Sequence, residues 1–202
     1  MKILILIFAL ISVTRAVTFN CTFTMHSSTN LPSIYTCFTQ TVSNINEETL
    51  TAVFGDHATG KSFADVGFVY VNRVQSLTYI PNGIENFFPN LIALQFSSCN
   101  ISTLSGHELD AFNNLKWFAF TYQSNFERVP ESLFARTPLI QTAFFDNNNI
   151  KIVGENLLTS LSQLTYANFG ANSCVNRGAT NSSQLSALIE YLRTNCNEFP
   201  CG

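Results

Sequence analysis

The chain has 202 residues, room for one good-sized domain with a buried core. Hydrophobic residues make up 46% and charged ones only 11%, and there are 19 Phe, so phenyl rings are expected to fill much of that core. A formal charge of −3 excludes the basic footprint that nucleic acid requires.

At the N-terminus, Lys2 precedes an apolar run from Ile3 to Val13, and Ala16 offers a small residue for cleavage. The run is too short for the ~20 residues that cross a bilayer, so 1–16 reads as a signal peptide. No other segment is long and apolar enough to span. Loss of Lys2 and Arg15 leaves eight basic residues against 13 acidic ones, a mature charge of −5 from Val17 onward. The product is expected to be secreted and extracellular, with no membrane span.

Six cysteines agree with an oxidising compartment: Cys21, Cys37, Cys99, Cys174, Cys196 and Cys201. Five of them lie towards the ends. Cys21 and Cys37 bracket a short polar segment and are expected to pair within an N-terminal cap, part of the stretch 17–65 that also holds a first partial repeat. Three N-x-[ST] sequons, at Asn20, Asn100 and Asn181, fit a glycosylated product.

Next along the chain, Gly55-Asp-His-Ala-Thr-Gly60-Lys61-Ser62 matches the phosphate-cradling pattern G-x-x-x-x-G-K-[ST]. That chemistry needs a helix starting at the Lys, so that its first amides face the phosphate. Here the chain runs within a few residues into a strand-like stretch, and the turn reading is preferred. No H-E-x-x-H or G-x-S-x-G occurs, and His26, His57 and His107 are scattered. The chain is therefore read as a non-enzyme, with no catalytic residues, metal or cofactor.

From 66 to 172 an internal period dominates. Leu91-x-x-Leu94-x-Phe96-x-x-Cys99-x-Ile101-x-x-Leu104 fits the leucine-rich-repeat template, and frames start at 66, 91, 115, 140 and 164. The steps of 24–25 residues predict an α/β solenoid, a horseshoe with a parallel sheet on its concave side. Phe96, Phe120, Phe145 and Phe169 share one frame position and should form a buried column. Asn148 and Asn172 fall at the ladder position, where their amides can bond neighbouring turns. Cys99 substitutes there as an inert thiol, whereas Gln123 and Val74 fit that slot imperfectly. Phe87, Phe88, Phe112 and Phe134 are expected to fill the convex side.

Alternation sends every second strand residue outward. The outward set comprises Phe68, Tyr70 and Asn72; Ala93, Gln95 and Ser97; Trp117, Ala119 and Thr121; Thr142, Phe144 and Asp146; Tyr166, Asn168 and Gly170. Five aromatics and one charge make a floor suited to a sugar ring or an apolar peptide side chain. Phe68, Tyr70, Gln95, Trp117, Thr142, Phe144, Tyr166 and Asn168 are the candidate binding residues. On this reading Trp117→Ala should weaken binding without lowering the melting temperature, and binding should depend weakly on salt.

After the repeats, 173–202 reads as a C-terminal cap. Leu185, Leu188, Ile189 and Leu192 have helical spacing behind Ser182 or Ser183 as the helix start, and Cys174 should pair with Cys196. The roles of Cys99 and Cys201 as free, paired or intermolecular thiols stay open.

Gly55-Asp-His57-Ala-Thr-Gly60 with Asp65-Val66, the run Ile80-Pro81 through Phe87-Phe88-Pro89-Asn90-Leu91, and Asn172-Ser-Cys174-Val175-Asn176 carry a resemblance. Over nearly the whole mature chain it resembles the secreted leucine-rich-repeat proteins of flies, midges and mosquitoes. The resemblance implies the horseshoe fold, an extracellular location and a role in recognition. The function expected is binding of an extracellular protein or glycan on the concave face. The alternative is a structural matrix component, oligomerised through Cys201.

Overall fold

The computed structural model describes residues 17–43 and 48–197. The expectations for the leader (1–16) and for Cys201 fall outside these residues.

The chain opens with β1 (Val17–Asn20) and continues into a long hairpin, β2 (Thr22–Ser28) and β3 (Leu31–Thr39). β4 (Val42–Ser43) and β5 (Leu50–Phe54) flank β1 in a small separate sheet. The repeat strands follow as β6 (Phe68–Asn72), β7 (Ala93–Ser97) and β8 (Trp117–Thr121), with the short helix α1 (Ile84–Phe87) between the first two. Beyond them come β9 (Arg128–Val129), β10 (Thr142–Phe144), β11 (Ile152–Val153) and β12 (Tyr166–Asn168). The described chain finishes with β13 (Gly178–Ala179) and α2 (Ser182–Asn195).

One sheet in the order β13-β12-β10-β8-β7-β6-β3-β2 carries the repeats. Phe68 pairs with Ala93, Ala93 with Trp117, Trp117 with Thr142 and Thr142 with Tyr166, all in parallel register. The strands therefore align on the 24–25-residue step of the sequence, and the fold is the expected leucine-rich-repeat solenoid. β3 adds a further parallel strand, pairing Cys37 with Val69.

Each repeat strand leaves the sheet through a left-handed residue at a constant frame position: Arg73, Ser98, Tyr122, Asn147 and Ala171, with φ between 53° and 59°. None of these is glycine, so the turn must be fixed from outside. Hydrogen bonds to the next repeat do this: Arg73, Ser98 and Asn147 donate to the carbonyls of Ser97, Thr121 and Gly170. One residue later comes the ladder. The Asn148 amide donates to the Phe120 and Phe145 carbonyls, both at 2.8 Å, and its oxygen accepts from the Gln123 amide at 2.7 Å. Asn172 repeats the pattern on Phe145, Phe169 and Ile150. Gln123 performs better than its sequence suggests. Its longer side chain donates to the Phe96 and Thr121 carbonyls and accepts from the Ile101 amide. Cys99 is 2% exposed, and burial pushes its thiol up to about 11, which keeps it protonated and unreactive.

Beneath the sheet Phe96, Phe120, Phe145 and Phe169 are fully buried, with Phe145 stacked on Phe169 at 5.0 Å. Phe88, Phe112 and Phe134 close the convex side, and Phe87 packs against them partly exposed. Both ends are stapled: Cys21–Cys37 and Cys174–Cys196 are disulfides, with Cα separations of 5.1 and 5.4 Å. β13 pairs antiparallel with β12 and covers that edge of the sheet, while Leu185, Leu188 and Leu192 dock α2 onto the last repeat. The α2 cap is Asn181, whose side chain accepts from the Gln184 amide, and not the expected Ser182 or Ser183. The residue in extended backbone just before the helix is the one placed to cap it.

Candidate functional site

The N-terminal hairpin is longer than the repeats it joins. β3 has nine residues, of which Thr36 to Thr39 pair with β6 and the rest run past its start. An irregularity between His26 and Ser28 bends the hairpin, and Asn30 turns it with φ 58°. Gly67 leaves the space for this crossing, because a Cβ there would lie 2.2 Å from Ile34 Cδ1.

The hairpin end lies over the first strands of the concave face. Leu31 packs with Phe68, Ala93, Trp117 and Ala119 in a second apolar cluster, flanked by Ile34, Tyr70 and Phe144. Trp117 Nε1 donates to the Thr29 carbonyl at 2.9 Å, a contact 88 residues apart in sequence. His26 rests on the rings of Phe68 and Tyr70 at 5.6 and 5.7 Å.

This roof corrects the expected exposure of Phe68 and Trp117, and Thr142, outside the roofed cluster, is buried as well. Phe68, Trp117 and Thr142 point away from the main core as expected, yet they are 0%, 3% and 2% exposed. Alternation sets the direction of a side chain, and a covering segment decides whether it meets water. Trp117 is a cluster residue with a satisfied indole N–H, so it cannot act as a free-standing anchor. Tyr70, Gln95, Phe144, Tyr166 and Asn168 remain partly exposed.

Those five line a cleft of about 370 Å³ between the hairpin end and the later repeats, together with Ser28, Thr29, Ser97, Trp117, Ala119, Thr121, Tyr122 and Asp146. Its apolar wall is continuous: Trp117 meets Phe144 at 5.3 Å, and Phe144 meets Tyr166 at 5.0 Å. Its polar wall is the outermost column of the face, where Thr121 Oγ1 donates to Ser97 Oγ at 3.2 Å. Asp146, the one charge of the outward set, closes this wall half-buried. Burial holds its carboxyl above the usual range, partly offset by a hydrogen bond from the Asn147 amide. Burial likewise raises the Tyr70 phenol. The three sequon asparagines, Asn20, Asn100 and Asn181, are exposed and lie away from these lining residues.

The Gly55–Ser62 turn has other contents. Only a three-residue helical turn follows, Phe63–Asp65, and Lys61 pairs with Asp65 at 3.1 Å. His57 accepts or donates a bond with the Tyr35 hydroxyl at 3.1 Å and stacks on Phe23 at 3.9 Å, a structural placement. No group of His, Cys, Asp or Glu able to hold a metal occurs among the described residues.

No family model matches the chain, and no curated protein matches it. Solved structures do. A TLR13–ssRNA13 complex aligns with 65% of this chain at 18% identity and a TM-score of 0.50. The LRIM1/APL1C complex aligns with 78% at 16% identity, and the APL1 leucine-rich-repeat domain with 77% at 15%, each with a TM-score of 0.49. The chain spans 17% of the TLR13 chain and 32% of the LRIM1/APL1C one. At such identities the likeness is one of fold, and it agrees with the strand register and asparagine ladder: this chain is a capped leucine-rich-repeat solenoid.

Proposed function

We propose that this chain is a secreted recognition module that takes an extracellular protein or glycan on the open, C-terminal half of its concave face. The observation that carries the reading is the cleft itself. It combines partly exposed aromatic rings with hydrogen-bonding groups on one rigid sheet, beside a hairpin that shields its other side. Two disulfides and an N-terminal apolar run support an extracellular setting. Among the described residues no helix is long and apolar enough to cross a membrane.

The TLR13 neighbour is a complex with ssRNA13. That ligand does not transfer well to a chain of charge −3 whose cleft holds a carboxylate and no Lys or Arg. Tyr166 and Asn168 are the residues on which partner contact should depend most, since both are accessible and outside the covered cluster.

The test is capture of partners from extracellular fluid by immobilised protein, comparing wild type with a Tyr166→Ala/Asn168→Ala double variant and a convex-side control, Ser160→Ala. Loss of capture in the concave variant alone is expected. Equal capture by all three would place recognition elsewhere on the molecule.

A further inference from the structure

The repeat chemistry does not explain Asp146. It occupies the outward position that Ser97 and Thr121 fill in preceding repeats, yet it brings a charge into a half-covered cleft. None of the cleft's lining residues is Lys or Arg, and desolvation rather than a neighbouring charge governs its carboxyl. A carboxylate held this way destabilises the fold unless a ligand uses it.

Its surroundings define the missing group. The rings of Phe144, Tyr166 and Trp117 border the same space. Ring faces and a carboxylate both present negative potential, so both favour a cation. Asn147 donates to Asp146 Oδ2 and the residue's own backbone amide also bonds the carboxylate, so only part of its accepting capacity is left. A carboxylate already partly engaged suits the compact ammonium of lysine better than a guanidinium, whose planar fork needs both oxygens. The apolar rings beside it match a four-carbon stem.

We infer that the cleft is a lysine-side-chain pocket for a protein partner, with the ammonium on Asp146 and the stem along Phe144 and Tyr166. The inference rests on the proposed role of the concave face. It favours a protein over a glycan, because a neutral sugar has no use for the carboxylate. One ion pair in a half-covered cleft is screened weakly, so binding should still change little with salt.

The test is an NMR titration with three probes: N-acetyl-lysine amide, N-acetyl-norleucine amide, which keeps the stem without the charge, and N-acetyl-arginine amide. Lysine amide should shift the Phe144 and Tyr166 ring signals and bind about tenfold more tightly than norleucine amide, with arginine amide between them. Asp146→Asn should lower lysine amide to the norleucine level, with its fold checked by an unchanged amide spectrum. The inference is overturned if lysine amide does not bind, if norleucine or arginine amide binds as well, or if Asp146→Asn changes nothing. The partner-capture assay separates the two claims. If Tyr166→Ala/Asn168→Ala abolishes capture but Asp146→Asn does not, recognition on this face stands and the lysine pocket falls. If neither variant affects capture, the recognition reading itself falls.

Discussion

The two halves of the concave face obey one alternation rule and end in opposite states. Along β6, β7 and β8, Phe68, Ala93 and Trp117 are buried under the hairpin end, with Leu31 packed against them and the Thr29 carbonyl holding the indole. Along β10 and β12, Phe144, Tyr166 and Asn168 stay partly open beside Asp146. The difference teaches that an outward aromatic on a solenoid has two fates. It becomes core if the cap reaches it, and a binding surface if the cap stops short.

Substitutions can break this comparison at several levels. The largest loss is expected beneath both halves: Phe145→Ala removes a fully buried ring from the main column and should cost about 3–5 kcal/mol in urea unfolding. Trp117→Ala should follow at about 3 kcal/mol, because a buried ring and its hydrogen bond are lost together. An unchanged melting temperature, as the sequence alone implied, would mean the ring is not covered. Leu31→Ala, on the hairpin side of the same cluster, should cost about 2 kcal/mol and raise hydrogen exchange across β2 and β3. In the open half, Tyr166→Ala should stay below about 1 kcal/mol while reducing partner capture.

The smallest effect sharpens the comparison through pH. Burial raises the folded-state carboxyl of Asp146, so the ionised group is less favourable in the fold than in the unfolded chain. That destabilisation is absent below the unfolded carboxyl range and is fully present above the raised folded value. Asp146→Asn should therefore match wild type in acid and be slightly more stable at neutral pH, as measured by thermal melts across that interval. Greater wild-type stability at neutral pH would show that the carboxylate is already satisfied within the chain.

Much of this was legible in the sequence, for physical reasons. Inward Leu and Phe recur because every repeat buries the same positions against its neighbours, so the step and the register could be read directly. The two disulfides followed from cysteines placed beyond each end of the repeats. The roof was not legible, because Thr22 to Ser28 forms an edge strand with a largely polar, solvent-facing sequence that reads as loop. Two signals were nevertheless present. Leu31 and Ile34 are apolar at the start of the following strand, β3, and Gly67 stands beside the first outward aromatic where a side chain would block Ile34. Gln123 was undervalued because its extra methylene reaches carbonyls that an asparagine amide would reach from a closer backbone. The cleft could not be foreseen without the roof that forms one of its walls.

Trp117 is the sole tryptophan of the chain, so its fluorescence reports on the covered half alone. The most direct measurement is its emission and iodide quenching in the native protein, compared with Leu31→Ala. A blue-shifted, quencher-resistant emission is expected for wild type, moving to longer wavelength and becoming accessible when the hairpin contact is weakened. A water-like, freely quenched emission from native wild type would contradict the covering of this face by the hairpin.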